Sequence, residues 1–67
     1  MTRYTVWHET ARHDGDAGFD DLAKAQREFD DQCSRATVVR VELQDNSNPG
    51  DPVVLKEYDV RRQDQNA

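Results

Sequence analysis

One cysteine, one tryptophan, two prolines and three glycines occur in 67 residues, and each scarcity excludes something. The lone Cys33 rules out an intramolecular disulfide framework and any multi-thiolate metal site, so the chain must fold without staples and suits a reducing compartment. No run approaches the roughly 18 apolar residues that a membrane span requires, and no apolar signal core stands near the N-terminus. Gly15, Gly18 and Gly50 match no phosphate-binding loop. Bases are scarce too: nine Lys and Arg against fourteen Asp and Glu leave a net charge of −5. Without a basic stripe to neutralise phosphates, direct binding of DNA or RNA is disfavoured.

What is present is enough for one thin core. A chain this short buries only about 60% of the surface it exposes when unfolded, so it makes a single domain and no deep cleft is expected. Hydrophobic and charged residues each make up 34%, and the Val, Leu, Phe, Tyr and Trp fall in periodic segments, which favours a folded chain over a disordered one.

Residues 3–10 are rich in β-branched and aromatic types, with Tyr4 and Val6 alternating against Thr5 and Trp7, and read as a strand. Residues 11–18 hold two glycines and two aspartates with no periodic apolar position, and read as a loop. From Phe19 the period changes: Leu22, Ala25, Phe29 and Cys33 form one stripe of a helix expected over 20–34, capped by Asp20, with Asp21 at its positive end and Arg35 near its negative end. Residues 37–45 alternate Val39, Val41 and Leu43 against Arg40, Glu42 and Gln44, the clearest strand in the chain. The turn formers of 46–52 then lead into a third strand over 53–60. The expected fold is α+β, a two-layer β-α-β-β domain over 1–62 in which one helix packs on a three-stranded, mainly antiparallel sheet, its stripe meeting Val39, Val41 and Leu43. Strand 1 could lie parallel to strand 2 through a crossover or pair with strand 3. Residues 63–67, with nothing apolar beyond Ala67, are expected to fray.

The stretch from His8 to Asp16 concentrates two histidines and three carboxylates, which raises the question of a metal. A zincin helix needs its histidines four apart, whereas these are five apart on a strand end and a loop. An EF-hand counted from Asp14 would put Phe19 and Ala25 where glycine and glutamate are required. Neither a metal nor a cofactor is expected. Cys33 sits on the apolar stripe and no cavity is foreseen to perturb a carboxylate, so the chain is read as non-catalytic.

Charge is distributed unevenly. Between Asp14 and Asp31 lie seven acids, Asp14, Asp16, Asp20, Asp21, Glu28, Asp30 and Asp31, against Lys24 and Arg27, while the remaining residues balance. These seven are the candidate partner-binding residues, because a negative face speeds association with a basic partner. Trp7, Val38 and whichever of Val53/Leu55 or Val54/Tyr58/Val60 faces away from the helix are candidates for an apolar interface on the far side of the sheet, with Val54 and Tyr58 taken as the third strand's contribution.

The segment from Ala25 through Cys33 into Thr37-Val38-Val39-Arg40-Val41-Glu42, preceded by a strand and followed by a hairpin strand, resembles small proteins of phages and mobile elements, among them anti-CRISPR inhibitors of type I-F surveillance complexes. The resemblance covers about half the chain. It implies stoichiometric inhibition in the cytoplasm of a bacterial host, with the protein occupying the basic nucleic-acid-binding surface of an effector complex. That the acidic residues make the contact follows from charge and not from a shared motif. The alternative is a self-associating accessory protein that dimerises through its exposed sheet face.

Overall fold

The computed structural model describes residues 2–48 and 50–60. In chain order the elements are β1 (Tyr4–Thr10), β2 (Asp14–Phe19), α1 (Leu22–Cys33), β3 (Val38–Asp45) and β4 (Val53–Asp59). The strands form one four-stranded sheet in the order β2-β1-β3-β4, antiparallel throughout, with α1 packed on one face. The fold is α+β, as its alternating and helical periods imply. Strand β1 pairs antiparallel with β3 at the centre of the sheet, so it lies neither parallel to that strand nor beside β4, the two arrangements that the sequence left open.

The sheet has a fourth strand that local pattern does not reveal. Residues 14–18 lie in β2, paired with β1 from Tyr4↔Phe19 to Glu9↔Asp14. The hairpin turn is organised by Thr10, whose backbone N–H donates to the His13 carbonyl at 2.8 Å and whose hydroxyl accepts from the backbone N–H of His13 at 3.1 Å. Strand β2 contains no β-branched residue, so pairing with β1 supplies what propensity does not. Gly15 is needed for closeness: a Cβ there would stand 3.0 Å from Cε1 of His8.

Helix α1 starts later than its charge pattern suggests. Asp21, not Asp20, is the N-cap; its backbone is extended and its carboxylate accepts the Ala23 N–H at 2.8 Å. At the other end the Ser34 N–H donates to the carbonyls of Asp30 and Asp31, and Arg35 pairs with Asp31 at 2.9 Å. The stripe delivers Ala25 and Phe29 to the core with Cys33 at its margin. Leu22 remains 42% exposed, and buried Gln32, whose amide donates to Glu28 at 2.8 Å, takes a place beside Ala25 and Phe29.

The core consists of Tyr4, Val6, Ala25, Phe29, Val38, Val41 and Leu43, with Phe19, Cys33 and Tyr58 packed against it. Val38 belongs to it because Glu9 pairs with Arg40 and Thr10 with Val38, leaving Val39 as an extra residue in β3. That bulge turns the run: Val38 and Val41 face the helix, and Val39 does not share the Val41/Leu43 face. A second bulge falls in β4, where Leu43 pairs with Lys56 and Gln44 with Val54, so Leu55 is the extra residue. Tyr58, opposite Val41, therefore points to the core. Pro49 of the turn and residues 61–67, which include the 63–67 tail expected to fray, lie outside the described residues.

Candidate protein-interaction surface

The face of the sheet opposite α1 carries a patterned set of side chains. Tyr4 and Val6 point to the core, so Thr5, Trp7 and Glu9 point away from it. Residues directly across antiparallel strands share a face, which gives three rows. One runs Asp14, Glu9, Arg40, Asp59; the next Asp16, Trp7, Glu42, Glu57; the last Gly18, Thr5, Gln44, Val54. Within these rows stand six carboxylates, those of Glu9, Asp14, Asp16, Glu42, Glu57 and Asp59, and one base, Arg40.

Arg40 is held on this face by three contacts. Its guanidinium lies 5.7 Å from the centroid of the Trp7 ring, and Nη2 stands 2.7 Å from Glu42 and 3.2 Å from Glu57. The hydrogen bond to Glu57 raises the Arg40 pKa further above its already high value. Nε of Arg40 is enclosed without a hydrogen-bond partner. Glu42 is satisfied twice over, since it also accepts from Nε2 of Gln44 at 3.1 Å. Across Trp7, the β2 side differs: Glu9, Asp14 and Asp16 make no ion pair among the described residues.

The candidate residues read from sequence divide between two faces. Asp14 and Asp16 lie on the open sheet face. Asp20, Asp21, Glu28, Asp30 and Asp31 belong to the helix layer, where Asp21 caps α1, Glu28 holds Gln32 and Asp31 pairs with Arg35. Lys24, Arg27 and Arg35 share that layer, so its charge is mixed. Sequence counting missed Glu9, Glu42, Glu57 and Asp59 because each sits in a segment that balances overall; strand pairing gathers them. Of the apolar candidates, Trp7 and Val54 are on the outer face, whereas Val38 is buried and Tyr58 packs on the core, both because of the bulges. The four do not form a patch.

The histidines meet at the β1–β2 hairpin end, their ring centroids 6.4 Å apart and nearly perpendicular. His8 lies on the helix side over Gly15, and Nδ1 of His13 is 3.1 Å from the Thr10 hydroxyl. Among the described residues no group of three or more His, Cys, Asp or Glu side chains could hold a metal ion. A shallow open hollow of about 420 Å³ beside this turn is lined by Thr10, Ala11, Arg12, His13 and Thr37. Burial, helped by Asp30 and opposed by Lys56, pushes the Cys33 thiol above its ordinary pKa. No described helix is long and apolar enough to cross a membrane.

No family model, curated protein or solved structure matches the chain.

Proposed function

We propose that this protein is a non-catalytic inhibitor that binds a protein partner through a negative surface and blocks the basic groove in which that partner holds nucleic acid. The observation that carries the reading is the open sheet face, with six carboxylates and one guanidinium in its paired rows. Such a face repels phosphates and attracts the lysines and arginines that grip them. The resemblance to anti-CRISPR proteins names one such partner, a type I surveillance complex in the cytoplasm of a bacterial host.

Self-association through the sheet face, the alternative, has less support: Val38 and Tyr58 are withdrawn from that face, and two copies would meet as like charges. The test is a pull-down with the tagged protein from lysate containing type I surveillance complexes, washed at low and at high salt and read by mass spectrometry. The reading expects a nucleic-acid-handling complex that high salt releases. Recovery of bait alone, with light scattering showing a salt-resistant dimer, would replace it with self-association.

A further inference from the structure

The structure divides the negative charge between a helix layer and an open sheet face, and only one of them is arranged to receive a cation. Resting on the reading above, we propose that the docking surface is the open sheet face and that its occupant is an arginine-bearing segment of the partner, with a guanidinium seated against Trp7 on the β2 side, among Glu9, Asp14 and Asp16.

Three observations converge. The face lies opposite the helix: α1 packs on the other side of the sheet, and Asp14, Asp16 and Glu57 on this side are exposed. Its charge is complementary to a basic segment and little else, since the rows hold one base, already engaged by Glu42 and Glu57. The helix layer, by contrast, mixes bases among its acids and uses Asp21, Glu28 and Asp31 for its own cap, its Gln32 and its Arg35.

Chemistry then selects the cation. A planar guanidinium stacks on an aromatic face and forms forked bonds to carboxylates, which an ammonium cannot reproduce. Arg40 shows a related arrangement on the β3 side of Trp7, its guanidinium carbon 5.7 Å from the ring centroid and its Nη2 paired with two carboxylates. The β2 side repeats the components without an occupant: Asp16 is directly across from Trp7, and Glu9 and Asp14 form the adjoining pair. The strand spacing of about 4.8 Å places these carboxylates within reach of one guanidinium set beside the indole.

The test uses the full chain, ¹⁵N-labelled, titrated at low salt with nona-arginine and separately with nona-lysine, following backbone and Trp7 indole resonances and Trp7 fluorescence. Trp7, Asp14 and Asp16 should shift most, nona-arginine should bind more tightly than nona-lysine, and Asp14→Asn with Asp16→Asn should weaken it roughly tenfold. The charge-matched pair Asp20→Asn with Asp30→Asn should leave affinity within about twofold, which separates a site from a loss of net charge. Equal affinity for the two peptides overturns the guanidinium assignment. Shifts confined to α1, or equal weakening by both pairs, overturn the sheet-face assignment while leaving the acidic-surface reading in place. Failure of both peptides to bind overturns both readings.

Discussion

Lys56, on the edge strand β4, points toward the helix and holds its ammonium 5.8 Å from the centroid of the Phe29 ring. An inward-facing charge on an edge strand is one of the devices that keep sheets from pairing edge to edge, and β4 has two others in Pro52 at its start and the bulge at Leu55. They are needed there, because Val53, Val54 and Leu55 are 54%, 47% and 45% exposed. At the opposite edge, β2 uses another such device, the exposed charges of Asp14 and Asp16.

Replacing Lys56 by Val should therefore cost little in monomer stability, about 0.5–1 kcal/mol for the lost cation–π contact. The larger effect should be concentration-dependent association on size-exclusion chromatography. Lys56→Arg should stay monodisperse at the concentrations where Lys56→Val does not.

The two adjacent aspartates before α1 should separate in a stability measurement. Asp21→Ala removes the cap on the Ala23 N–H and should cost about 1 kcal/mol in urea unfolding. Asp20→Ala should fall within about 0.5 kcal/mol of the parent, as surface substitutions usually do.

Leu43 is among the largest fully buried side chains. Leu43→Ala should cost roughly 2–5 kcal/mol, a large share of what so small a domain has, and the variant should unfold at far lower urea. Val54→Ala, on the outer face, should be nearly neutral. If the two were equally harmful, the bulge at Leu55 would be misplaced.

Two titrations carry signs. Hydrogen bonds from the Ser47 hydroxyl and backbone N–H, joined by the nearby charge of Arg3, hold the Asp45 carboxyl below its ordinary value. Its contribution to stability is present above the unfolded carboxyl's pKa, about 3.9, and is lost as pH falls through the lower folded value. Ser47→Ala should return the Asp45 titration, followed by NMR, toward the ordinary range. Cys33 moves the other way: burial favours its neutral thiol, so its contribution is complete below the unfolded thiol's pKa and fades as pH rises through the raised folded value. Iodoacetamide should modify native Cys33 more slowly than the unfolded chain, with its pH midpoint displaced upward.

Legibility varied with how local each signal was. Trp7 could be placed opposite Tyr4 and Val6 because alternation is a property of neighbours in one strand, and Phe29 could be placed on the helix stripe by its spacing from Ala25 for the same reason. Val38 and Tyr58 were misassigned because one inserted residue, Val39 or Leu55, inverts the facing of what lies beyond it, and only a partner strand makes the insertion visible. Asp14-Gly-Asp-Ala-Gly-Phe19 has turn-like composition, yet Gly15, Ala17 and Phe19 face the helix side in alternation. Glycine and alanine are too weakly apolar for that alternation to register as a strand pattern, so only pairing with β1 reveals β2.

The amino-acid sequence alone determined the α+β class, the approximate positions of β1, α1, β3 and β4, most of the core residues and the excess of acid, because periodicity, capping chemistry and composition act over a few neighbouring residues. Only the tertiary structure decided that β2 joins the sheet, that β1 lies centrally beside β3, and that Glu9, Asp14, Asp16, Glu42, Glu57 and Asp59 share one face around Trp7 and Arg40. Strand register and bulges are set by pairing between distant segments, and a surface charge pattern exists only once that register is fixed.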